Sequence, residues 1–90
     1  MLGTDDHPDI ASNFGDLGML YHSLGEYEKA LEFLQQSLQI RRKIHGEETV
    51  EIALCFNNLG TALKSVGQYD AAIECFQKSL QILRNIYQKR

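Results

Sequence analysis

The sequence predicts an all-α fold, two stacked antiparallel helical hairpins built from four helices, on three observations. The first is internal repetition. Slid by 42 positions, residues 9–48 fall on residues 51–90, and 17 of the 40 aligned pairs are identical. Leu24-Gly25-Glu26-Tyr27-Glu28-Lys29-Ala30-Leu31 is echoed by Val66-Gly67-Gln68-Tyr69-Asp70-Ala71-Ala72-Ile73, and Ser37-Leu38-Gln39-Ile40 returns unchanged as Ser79-Leu80-Gln81-Ile82. A fixed period of this length marks a repeat array. The second observation is apolar spacing at the helical period in both copies. The third is that Gly25, Gly46 and Gly67 break the chain into short-looped pieces, and short loops make neighbouring helices antiparallel.

Taken in order, residues 1–8 form a leader, residues 9–48 a first repeat and residues 49–90 a second. The leader is polar, and Pro8 suits a helix start. Gly3 to Ile10 resembles the later connection Gly46 to Ile52, so the chain begins as if an earlier repeat had just ended. This reads as a piece of a longer array, with Met1 as a natural start left open. The first helix is expected from about Asp9 to Ser23. At about 100° per residue, Phe14, Leu17, Gly18, Tyr21 and Leu24 fall on one side. Gly25 closes it by tolerating a left-handed backbone. Gly18 costs about 1 kcal/mol against alanine in mid-helix. Its return as Gly60 points to a close backbone approach.

The second helix is expected from about Tyr27 to Ile44. Its apolar residues Tyr27, Ala30, Leu31, Phe33, Leu34, Leu38, Ile40 and Ile44 span half the circumference. That exceeds the ~100° stripe a helix with one neighbour needs, so two neighbours are implied. Glu28, Glu32, Gln35, Gln36, Gln39 and Lys43 form the wet face. Arg41 falls inside the apolar arc, where the second repeat has Leu83, and its long stem could snorkel. Thr49 is the N-cap expected for a third helix from about Val50 to Ser65. The third helix turns Phe56, Leu59, Gly60, Leu63 and Val66 inward, and Gly67 closes it. The fourth, from about Tyr69 to Tyr87, repeats the second with Ala72, Ile73, Phe76, Leu80, Ile82, Leu83 and Ile86.

Composition limits function. Nine basic and twelve acidic residues give a net charge of −3, which argues against a general nucleic-acid or membrane-surface binder. Two cysteines, Cys55 and Cys75, make no disulfide framework and lack metal-ligand spacing with His7, His22 and His45. Free thiols in a reducing compartment are expected. With no apolar signal segment and no run of membrane-span length, a cytoplasmic location is expected.

The residues Leu17-Gly18, Tyr21, Gly25-x-Tyr27 and Ala30, with Leu59-Gly60, Leu63, Gly67-x-Tyr69, Ala72 and Phe76, resemble the tetratricopeptide repeat. The resemblance covers nearly the whole chain. The 42-residue period, Asp5-Asp6-His7-Pro8-Asp9-Ile10-Ala11 and Asn57-Asn58-Leu59-Gly60 are similar to the kinesin-light-chain type. Departures are mild. Phe14 stands where the family has tryptophan, Leu34 where it prefers an aromatic, Leu63 where it has tyrosine, and Ser37 and Ser79 where alanine is commonest. Arg42 and Arg84 replace the closing proline, which fits longer second helices.

The resemblance implies a right-handed solenoid acting as a non-enzymatic protein-interaction scaffold, its inner face lined by the first helix of each repeat. The helical angles put Ser12, Gly15, Asp16, Met19, His22 and Ser23 of the first helix on that face. From the third come Leu54, Asn57, Asn58, Thr61, Lys64 and Ser65. In the family this face holds an extended peptide. Asn58 and then Asn57 are the expected backbone contacts, because an amide both donates and accepts. Lys64 suits an acidic side chain, Met19 an apolar one, and Thr61 and His22 complete the set. The clamp some relatives use for a C-terminal carboxylate is missing: Gly15 and Met19 stand there, and Asp16 would repel a carboxylate.

Self-association is the alternative. A repeat buries its apolar faces against neighbours, and about three repeats are normally needed. Phe76, Ile82, Leu83 and Ile86 of the last helix are expected to form an uncovered edge that pairs with another copy, a dimer being favoured, by edge packing or hairpin exchange. No enzyme, cofactor or metal site is expected. His22-Ser23 lacks an orienting acid and an oxyanion site, Asp5-Asp6-His7 reads as a polar helix start, and Gly15-Asp16-Leu17-Gly18 is helical rather than a phosphate loop.

Overall fold

His7 and Pro8 set the start of the first helix. Pro8 occupies the first helical position, where a missing N–H costs nothing, and the His7 imidazole Nδ1 accepts from the Asp9 N–H at 3.0 Å. In a computed structural model that describes residues 7–88, four helices follow one another: α1 Pro8–Ser23, α2 Tyr27–His45, α3 Val50–Ser65 and α4 Tyr69–Tyr87. No strand occurs among the described residues. Residues 1–6, most of the expected leader with its Asp5-Asp6 pair, lie outside them, as do Lys89 and Arg90.

Both hairpin turns are built alike. Gly25 has φ +82° and Gly67 φ +85°. Gly25 N–H donates to the His22 carbonyl and Glu26 N–H to Tyr21; Gly67 N–H donates to Lys64 and Gln68 N–H to Leu63. This pair of bonds satisfies carbonyls orphaned at a helix end, and glycine alone adopts the left-handed conformation there without strain. The repeat-to-repeat turn ends on Thr49, whose hydroxyl accepts from the Ile52 N–H at 3.2 Å. It is thus the N-cap of α3, as expected.

α1 packs on α2, α3 on α4, and α2 on α3, while α1 and α3 only brush. The result is flat, 41 × 36 × 16 Å. Within the first hairpin, Ala11 and Ala30 are fully buried, and the Ser37 hydroxyl donates to the Ala11 carbonyl at 2.8 Å in the interior. A buried hydroxyl is tolerated only when so paired. This explains a serine at a position where the family prefers alanine. Phe33 stacks between Phe14 and Tyr21, at centroid distances of 5.9 and 5.5 Å. The main core lies between the repeats, where Leu34, Leu38, Ile52, Ala53, Cys55, Leu59, Ala62 and Ile82 form one cluster.

Three expectations about burial are corrected. Leu17 and Leu24 are exposed, because no described helix lies on that side of α1. Ile82, assigned to the uncovered edge of α4, is fully buried. It belongs to the core cluster, and its counterpart Ile40 in the first repeat is buried as well. Of the remaining edge residues, Leu83 and Ile86 are half-buried against the core, and Phe76 is half-buried. The large hydrophobic side chains left bare on α4 are Tyr69, Ile73, Leu80 and Tyr87.

Candidate functional site

The junction of α1, α2 and α3 forms a groove of about 230 Å³. α1 contributes Ser12, Gly15, Asp16 and Met19. α2 contributes Leu34, Ser37 and Arg41 from beneath, and α3 supplies Glu51, Leu54, Cys55 and Asn58. The three helices meet here because α2 has two neighbours, one from each repeat. Gly15 keeps the α1 wall low: a β-carbon added there would touch Ser37 Oγ at 3.5 Å.

Arg41 gives the groove its character. It is half-buried, and its guanidinium donates to Ser12 Oγ at 3.0 Å, tying α2 to α1 across the groove. Asp16 and Glu51 stand on opposite walls, so two carboxylates face one engaged cation. The site therefore suits a neutral or basic segment better than an acidic one. Met19, Leu34 and Leu54 supply apolar surface. Burial pushes the Cys55 thiol above its ordinary value of 9.0, against the lowering effects of Arg41, a hydrogen bond with Ser37 and Arg42. It is thus a neutral, apolar part of the wall rather than a thiolate nucleophile.

Of the residues expected on this face, the structure brings Ser12, Gly15, Asp16, Met19, Leu54 and Asn58 together in the groove. Asn57 and Lys64 are exposed and stand outside its lining. Thr61 also lies outside, its hydroxyl donating to the Asn57 carbonyl at 3.0 Å. His22 is engaged elsewhere: its Nε2 lies 2.8 Å from Ser65 Oγ, bridging α1 to α3, and its ring packs against Tyr27 at 5.2 Å. The Ser65 hydroxyl donates to the Thr61 carbonyl, so the imidazole N–H is the donor to Ser65. That is the reverse of a nucleophile–base pair. Arg41, Ser37, Glu51 and Cys55 were not assigned to the groove from sequence. Arg41 alone carried a signal, as a cation inside an apolar arc. A second depression, of about 430 Å³, lies along the far side of α2 between Phe14 and the glutamine row Gln35, Gln36 and Gln39. It is open and follows a wet helix face.

Comparison with known proteins agrees with this architecture. The tetratricopeptide repeat pattern matches residues 9–85. A stretch of 48 residues is 38% identical to the clustered mitochondria protein homolog of Culex quinquefasciatus, 33% to that of Danio rerio and 31% to that of Homo sapiens. It covers 53% of this chain but only 4%, 3% and 4% of those proteins. The similarity is thus to little more than one repeat of much longer chains. Two glycine-closed helical hairpins, a core shared between repeats and the match over residues 9–85 place this chain in the tetratricopeptide repeat family.

Proposed function

We propose that the chain is a non-enzymatic scaffold that holds an extended segment of a partner protein in the groove between α1, α2 and α3. Tetratricopeptide repeats generally mediate protein–protein interaction. The observation that carries the reading is that Asn58, the amide best suited to a peptide backbone, shares one groove with apolar Met19, Leu34 and Leu54. In this reading Asn58 bonds the partner's main chain, an apolar side chain fills the groove, and a basic or neutral residue lies beside Asp16 and Glu51. The clustered mitochondria proteins share only a repeat-length stretch, so their role is not carried over. The 42-residue period supports the kinesin-light-chain-like form of the repeat. The two free thiols, Cys55 buried and Cys75 half-buried, suit a reducing compartment such as the cytoplasm.

The test is selection from a displayed random peptide library, followed by titration of one selected peptide. Asn58→Ala is expected to weaken binding about fivefold, the worth of one hydrogen bond of about 1 kcal/mol. Asp16→Lys should turn the selected sequences from basic towards acidic. Selected peptides that ignore both changes would overturn the assignment.

A further inference from the structure

The two ends of the slab carry apolar faces that no described residue covers. They are the two halves of an interface the molecule already contains. On α4, Tyr69, Ile73, Leu80 and Tyr87 recur at helical spacing and form one stripe. The 42-residue correspondence maps Leu80 onto Leu38 of α2. Leu38 is 6% exposed and Leu80 49%. The difference is α3, which lies on α2 and has no equivalent on α4. The other half shows the same contrast. Leu59 and Ala62 of α3 are 5% and 0% exposed, while their counterparts on α1, Leu17 and Leu20, are 38% and 57% exposed. What α3 has and α1 lacks is a helix in the place of α2.

We propose that α1 of a second copy of this chain docks on the outer face of α4, repeating the α2–α3 packing across the joint. Pairing α4 with α4 would cover one stripe and leave Leu17 and Leu20 in water, whereas the head-to-tail joint covers both. One polar contact has its counterpart too. The Arg42 guanidinium lies over the Phe56 ring, 5.4 Å from its centroid, and the matching residues are Arg84 on α4 and Phe14 on α1 of the next copy. Such an interface is heterologous, so it propagates instead of closing at a symmetric dimer. It also has a functional consequence. The groove within one chain uses Gly15, Asp16 and Met19, whose counterparts are Asn57, Asn58 and Thr61. A joint between copies forms a second groove, walled by those three residues and by Asp9 and Ser12 of the incoming α1. Asn57 and Thr61, which stand outside the groove between α1, α2 and α3, then acquire one.

Sedimentation equilibrium with two variants tests the joint and its polarity. Leu20→Glu removes one face and Leu80→Glu the other, both at exposed positions, with helical content checked by circular dichroism. Should Leu80→Glu lose helix, Ile73→Lys takes its place. The unaltered chain is expected to gain mass with concentration past two chains. Each variant alone should remain one chain. An equimolar mixture should reach two chains and stop, because each variant keeps the face the other lost. An unaltered chain that stays at one chain throughout overturns the proposal. So does a Leu20→Glu variant that still self-associates, since that would place α4 against α4.

Discussion

A β-carbon added at Gly18 would stand 2.7 Å from Leu34 Cγ, a branch point held in the core, and 3.2 Å from the Ala30 carbonyl. At Gly60 it would meet the Phe76 ring at 2.8 Å, but Phe76 is only half-buried and has room to swing. Overpacking costs about 1–3 kcal/mol, and alanine's helix preference returns about 1 kcal/mol. Gly18→Ala is therefore expected to lower stability by about 1–2 kcal/mol and Gly60→Ala by less, measured by urea unfolding. The recurrence of both glycines pointed to a close approach of backbone, but what comes nearest is a side chain, Leu34 at Gly18 and Phe76 at Gly60. The partner of His22 was not. Ser65 lies 43 positions away and meets it only where α1 and α3 brush past each other, a register that periodicity does not give.

The cysteines make a separate prediction. Burial raises both thiols above 9.0. Below that value folded and unfolded chains alike keep the proton, and stability does not depend on these groups. Above it the unfolded chain releases protons the folded chain retains, so stability falls as pH rises through the alkaline range. Cys55→Ala should flatten part of that fall in urea unfolding measured between pH 8 and pH 10, whereas an unchanged slope would mean Cys55 is not held neutral.

At the scale of the element, ends were legible and faces only half so. Thr49 and the turn glycines announce themselves by chemistry that acts within four residues. Burial depends on which neighbours exist. The angular reading grouped Leu17 with Leu24 on one side of α1, put Ile73, Leu80 and Ile82 in one apolar set on α4, and assigned Ile82 to an uncovered edge. The structure divides them, because α1 and α4 each have one flank covered and one bare. Ile82 is fully buried in the core and Leu80 is exposed. Ile82→Ala should therefore cost about 2–5 kcal/mol. Leu80→Ala should cost within about 0.5 kcal/mol in dilute solution, as exposed substitutions do. Thermal unfolding at low protein concentration separates the two, and equal losses would contradict the division. The repeats also differ in a compensating way. The first puts an aromatic at Phe33 and Leu34 against Gly18; the second puts Cys75 and Phe76 there. The aromatic has moved one position, so each hairpin fills its interior with a different shape.

At the scale of the molecule, the repeat period reported the architecture and left the partner open. Stacking makes a groove wherever three helices meet, and the groove takes its chemistry from residues that serve packing as well. Arg41 binds Ser12 and charges the floor, while Ser37 holds Ala11 and lines the wall. Such dual residues look structural in a sequence. Net charge of −3 and the facing carboxylates Asp16 and Glu51 together disfavour an acidic partner segment. The most direct test of the scaffold reading is calorimetric titration of one library-selected peptide into the unaltered chain, Asn58→Ala and Lys64→Ala. The account predicts an affinity about fivefold lower for Asn58→Ala and unchanged for Lys64→Ala. Equal affinity for Asn58→Ala, or a loss confined to Lys64→Ala, would place the partner outside the groove and contradict it.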